Sequence, residues 1–119
     1  MNMNARQETW RIESWLWIVQ RASAAVLALC VLVHLATIIF ATRGSLSAAE
    51  ILSRTQGSLG WGLFYGMFVV AVALHTPIGL RNIFAEWLAW RGRSLDVAML
   101  SFAFLLAVLG FRAVAGVLL

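Results

Sequence analysis

Lysine is absent from this sequence, and acidic side chains are scarce: five Asp and Glu stand against nine basic residues, all of them Arg. The resulting charge of +4 could belong to a nucleic-acid binder, but such proteins gather their basic residues into one face or stripe. Here the arginines are scattered between apolar runs, so no nucleic-acid partner is expected. A single cysteine, Cys30, excludes an internal disulfide and any CxxC metal motif; it lies in an apolar run and reads as packing. No flavin-binding motif and no cysteine cluster occur, so chemistry that needs either belongs to another chain. One Pro and nine Gly argue against a low-complexity segment.

The informative absence is local. Residues 22–42, 61–80 and 97–111 contain no Asp, Glu, Lys or Arg. Twenty helical residues at about 1.5 Å each span the roughly 30 Å hydrocarbon core of a bilayer. With 62% hydrophobic residues and a mean hydropathy of +0.88, the chain exceeds the apolar content of ordinary soluble domains. The expected fold is therefore all-α: an integral membrane protein with three transmembrane helices at about 15–41, 59–89 and 95–117, forming one membrane-anchor domain over 1–119. Residues 1–14 carry Arg6, Glu8, Arg11 and Glu13 and do not read as a signal peptide. Trp10, Trp15 and Trp17 cluster as tryptophans do at a membrane–water interface. Ser47 and Glu50 have capping-box spacing, which predicts a short interfacial helix over 47–55. Gly62 and Gly66 form a small-xxx-small pair for close helix approach. Gly92 suits the C-terminal cap of the second span, and Ser94 the N-cap of the third, with Asp96 in its first turn.

Two histidines lie within the spans. His75 sits near the middle of the second, where an ionisable group marks a functional site by default, and a neutral imidazole is a common ligand for haem iron. Pro77 lacks an N–H, so the carbonyl of Ala73 loses its helical partner there. Gly79 permits close approach of a flat ligand. Arg81 follows about 9 Å along the axis, a suitable distance for a cation facing haem propionates. His34 lies in the outer half of the first span. In an antiparallel pair the two rings differ in depth by roughly 10 Å, so they are not expected to share one iron. The alternative for His34 is a bond to a helix carbonyl or to a Ser or Thr of a neighbouring helix.

His75-x-x-x-Gly79-x-Arg81, followed by Glu86, resembles the second helix of the cytochrome b membrane-anchor subunit of succinate dehydrogenase and fumarate reductase (respiratory complex II). The usual pattern has a histidine and an aspartate where this chain has Asn82 and Glu86. Gln20-Arg21-Ala22-Ser23-Ala24 is similar to that family's His-Arg-x-Ser/Thr-Gly, and Trp17 stands where the family carries a quinone-site serine. The resemblance implies haem b held by His75, with Gly79 and Arg81 beside it, and a second haem through His34. Each iron would take its other histidine from a partner chain. It implies a quinone against Arg21, Ser23 and Gln20, walled by Trp17. It also implies a second membrane-anchor subunit that completes the helical bundle, an iron–sulfur subunit and a flavoprotein subunit that carries the succinate or fumarate chemistry.

Arg6, Arg11, Arg21, Arg81, Arg91 and Arg93 fall on one side of the membrane and Arg43, Arg54 and Arg112 on the other. The positive-inside bias then predicts a cytoplasmic N-terminus in a bacterial inner membrane, with lipid around the spans. Two other readings remain: a cytochrome b anchor of a different respiratory oxidoreductase, and a non-redox scaffold or transporter subunit. Transporters usually carry an acidic residue at mid-membrane, whereas Glu86 and Asp96 lie at an edge.

Overall fold

The computed structural model describes residues 2–119. Four helices follow in chain order: α1 (Met3–Arg43), α2 (Ala48–Thr55), α3 (Leu59–Trp87) and α4 (Arg93–Leu118). α1, α3 and α4 are each long and apolar enough to cross a membrane, as the three charge-free runs predict. There is no strand among the described residues.

α1 begins twelve residues before the predicted start of the first span. Its polar lead is helical because Asn2 caps it: the Asn2 side chain accepts from the Ala5 N–H at 2.9 Å, satisfying one of the orphan donors of the first turn. The hydroxyls of Thr9 and Ser14 fold back onto the carbonyls of Ala5 and Trp10. Polarity here marks where the helix leaves the hydrocarbon, not where it ends. At 41 residues, α1 is about 60 Å long, twice the apolar thickness of a bilayer.

α2 carries the predicted capping box. The Glu50 N–H donates to Ser47 Oγ at 3.2 Å, and the Ser47 N–H donates to Glu50 Oε2 at 2.9 Å. This helix closes the far end of α4. Thr55 Oγ1 donates to the Val117 carbonyl at 2.8 Å and the Gly57 N–H to the Leu118 carbonyl at 2.9 Å, so two carbonyls that a helix end leaves unpaired find partners.

The turn between α3 and α4 differs from the sequence expectation. Leu88 is the C-cap of α3, and Ala89, at φ 52°, takes the left-handed position. The Trp90 N–H then returns to the Phe84 carbonyl at 3.2 Å. Gly92, at φ 98°, opens α4 as its N-cap instead of closing α3. Ser94 lies inside the first turn, where its hydroxyl accepts from Trp90 Nε1 at 2.8 Å. It staples the turn and does not cap the helix.

The three long helices form a row with α3 in the middle. Gln20, Ser23 and His34 of α1 meet Gly79, His75 and Tyr65 of α3 in reverse order, so the pair is antiparallel. Arg81, Val69 and Gly62 of α3 meet Asp96, Gly110 and Leu118 of α4 in the same antiparallel sense. α1 and α4 barely touch. The buried apolar residues among those described are accordingly few: Cys30, Ala71, Pro77, Leu95 and Met99. Large apolar side chains cover the outside of all three spans, a surface compatible with acyl chains, which are as apolar as leucine. Of the expected glycine pair only Gly62 is at a helix contact, against Leu118; Gly66 faces open space.

The tightest approach is elsewhere, at Gly110. A Cβ added there would lie 2.6 Å from Val69 Cγ1 and 2.9 Å from Cγ2. A helical valine is nearly locked at χ1 and cannot turn aside. Gly110→Ala should therefore destabilise the protein by about 1–3 kcal/mol, the usual cost of overpacking. Thermal unfolding of the purified protein should show a lowered midpoint, restored when Val69→Ala is combined with it; an unchanged midpoint in the single variant would mean the helices part freely.

Candidate functional site

The middle of the α1–α3 seam is built from four residues. Ser23 is 6% exposed, and its Oγ lies 3.4 Å from His75 Nδ1. The same hydroxyl donates to the Gln20 carbonyl at 3.1 Å, three residues back on α1. One turn beyond His75, Gly79 presents its bare backbone to Gln20: a Cβ there would stand 3.1 Å from Gln20 Nε2. The other amide atom, Gln20 Oε1, is buried without a hydrogen-bond partner among the described residues. His75 and Gly79 thus share a face of α3, as a four-residue spacing dictates, and that face meets α1.

The sequence grouped Ser23 and Gln20 with Arg21 and Trp17, and the structure separates them. Arg21 and Trp17, four residues apart, share an exposed face of α1, with the guanidinium 5.1 Å from the indole centroid, a cation–π distance. Gln20 and Ser23 point into the seam with His75.

Arg81 meets α4. Its Nε donates to Asp96 Oδ1 at 2.9 Å, and both side chains are partly exposed. The sequence reading placed Asp96 in the first turn of the third span but did not link it to Arg81. The available signal was complementary charge on either side of a short turn. The pair stands at the edge of an apolar cleft of about 450 Å³ between α1 and α4, lined by Ile12, Leu16, Pro77, Ile78 and Met99.

His34 occupies a separate level. Its Nδ1 lies 3.5 Å from the Tyr65 hydroxyl, and its ring meets the edges of Tyr65 and Phe68 with centroids 5.8 and 6.0 Å away. Tyr65 in turn stacks on Trp61. A second cavity of about 240 Å³ opens here, between α1, α2 and α3. Eleven residues of α1 separate His34 from the Ser23 level of His75, and seven to ten residues of α3 separate its partners from His75. The two rings are therefore roughly 10–16 Å apart along the helices. Tyr65 and Phe68 were not foreseen as neighbours of His34, because helix-to-helix register is not written in one chain's periodicity.

The seam presents one candidate haem ligand. His75 engages one ring nitrogen within the protein and leaves Nε2 without a hydrogen-bond partner among the described residues, the arrangement common to metal-bound histidines. Gly79 on the same face adds no side chain beside it. Among the described residues no three His, Cys, Asp or Glu side chains gather in one place.

These elements define a three-span helical membrane protein with a histidine fixed between two of its spans. A family model described as succinate dehydrogenase/fumarate reductase transmembrane subunit matches residues 2–117, and the chain belongs to that family. Comparison with curated proteins and with solved structures gives no match.

The Arg81–Asp96 pair generates a prediction of its own. Partly exposed ion pairs contribute about 0–1 kcal/mol and are screened by salt. Asp96→Asn should lower the unfolding midpoint slightly at low ionic strength and not at all at high salt. A large loss persisting in high salt would show that the pair holds α3 to α4.

Proposed function

We propose that this chain is a haem b- and quinone-binding membrane anchor of a succinate:quinone oxidoreductase or quinol:fumarate reductase. The observation that carries the reading is His75, held at mid-span by Ser23 with its second ring nitrogen unengaged, in a chain of this family. Haem b supplies one-electron chemistry when bound. His75 would hold the haem iron, Gly79 adds no side chain on the same face of α3, and Arg81, in exchange with Asp96, would supply a cation for the propionates. His34, at its separate level, is the proposed ligand of a second haem. The distance between the two levels supports different irons, each completed by a histidine of a partner chain.

The quinone binds on the exposed face of α1 that bears Arg21 and Trp17. As its oxygens take up negative charge, a guanidinium stabilises them more than it does the neutral ring, because hydrogen bonds to charged groups are about twice as strong as neutral ones. Arg21 remains charged throughout. Trp17 forms the wall, Gln20 lies at the edge, and Ser23 lies behind them in the seam.

A second membrane-anchor subunit packs against the open row and completes the bundle; the scant contact between α1 and α4 leaves faces for it. The iron–sulfur subunit docks on the side of Arg21, Arg81, Arg91 and Arg93, carrying electrons between the flavoprotein subunit and quinone. The positive-inside rule makes that side cytoplasmic, and the membrane proposed is a bacterial inner membrane.

Two outcomes test this reading. His75→Ala should abolish or strongly alter the reduced b-type absorbance of the assembled complex; an unchanged spectrum removes His75 as a ligand. Arg21→Leu should cut quinone-dependent turnover several-fold while assembly, haem spectrum and reduction of a soluble dye stay near wild type. Quinone turnover at the wild-type rate would make Arg21 a lipid anchor.

A further inference from the structure

We propose that Ser23 is a positioning residue that fixes the ring tautomer of His75, an inference that rests on reading His75 as a haem ligand. A serine hydroxyl has one hydrogen to donate and two lone pairs to accept with. Its hydrogen is committed to the Gln20 carbonyl at 3.1 Å. Toward His75 Nδ1, at 3.4 Å, the oxygen can then only accept. The proton of the neutral imidazole therefore sits on Nδ1, and Nε2 carries the lone pair that an iron takes up. Burial strengthens the assignment: at 6% exposure, the hydroxyl has little water to bond with instead. His34 has no equivalent device, because the Tyr65 hydroxyl at 3.5 Å can donate or accept and selects neither tautomer.

Two residues of α1, Gln20 and Ser23, thus act in series on His75 of α3. The Gln20 carbonyl orients the Ser23 hydrogen, the Ser23 oxygen orients the His75 proton, and Gly79 lets the Gln20 side chain lie over the same face of α3. The spacing of Gln20 and Ser23, three residues on one helix, is what allows the first step. An outer-shell acceptor of this kind fixes ring orientation and raises ligand basicity, and its loss typically weakens metal binding by about 10–100-fold.

The test uses the assembled complex with Ser23→Ala, Ser23→Cys and Ser23→Thr. Alanine removes the acceptor. Cysteine keeps the volume with only a weak acceptor, and threonine keeps the hydroxyl. The readouts are the ferric haem g-values by low-temperature electron paramagnetic resonance, the haem midpoint potential, and the rate of haem loss in detergent. Ser23→Ala and Ser23→Cys should shift the g-values and potential in one direction and loosen the haem about 10-fold or more; Ser23→Thr should keep wild-type values. If the alanine variant fails to assemble, the cysteine–threonine comparison carries the decision. Wild-type values in Ser23→Cys, or equal shifts in all variants that assemble, overturn the role of the hydroxyl. A wild-type complex without a His75-dependent haem overturns the ligand reading instead, so the two failures are distinguishable.

Discussion

A hydroxyl buried between two membrane helices has few choices of partner, and this limits how α1 can sit on α3. In hydrocarbon no water completes an unmade hydrogen bond, so polar groups inside a span are matched within the protein. Ser23 meets that demand twice, with the Gln20 carbonyl and with His75. A rotation of α1 by one residue would carry Ser23 about 100° around the helix, break the contact with His75 and turn the hydroxyl toward lipid. Gly79 serves the same seam from the other side, since a side chain there would press on the Gln20 amide. The pairing of α1 with α3 is thus specified by polar contacts and a missing Cβ, where apolar burial between membrane helices contributes little.

α4 is held by different means. Gly110 lets the backbone of α4 close on Val69, Arg81 and Asp96 pair at one end, and α2 with its following turn covers the carbonyls at the other. Steric fit at the centre and the hydrogen bonds of α2 and its turn at the far end set the register, with a weak ion pair at the near end, while α1 stays apart from α4. The result is a row of helices and not a closed bundle. Its clefts lie beside Arg81, among α1, α3 and α4, and beside His34, among α1, α2 and α3. Such a shape suits a subunit of a larger membrane assembly, the class to which the family assigns it.

Much of this was legible in the sequence. The three spans follow from runs without charge, the capping box of α2 from Ser47 and Glu50, and the family from the segments around Arg21 and His75. The misread positions share a cause. The start of α1 was placed at the membrane edge, because hydropathy reports where a helix meets lipid and not where its hydrogen bonds begin. Gly92 was assigned as a helix C-cap by residue type, yet Ala89 takes the left-handed turn and Gly92 opens α4. The neighbours Tyr65 of His34 and Asp96 of Arg81 depend on inter-helix register, which one sequence does not encode locally. Ser23 is the instructive case. Its motif placed it beside Arg21, but adjacent motif residues on a helix point about 100° apart, and only packing tells which of them faces the seam.

Nε2 of His75 is the proposed ligand of a ferric haem in the assembled complex. The direct measurement is nitrogen-isotope electron–nuclear double resonance on complex prepared with ¹⁵N-histidine in this chain alone. Labelling should replace strongly coupled axial-nitrogen lines, and the lines of one haem should return to their ¹⁴N pattern in a complex whose His75 is the only unlabelled histidine of the chain. Axial lines that keep their ¹⁴N pattern in the uniformly histidine-labelled chain would contradict it, since the iron would then take no ligand from this chain.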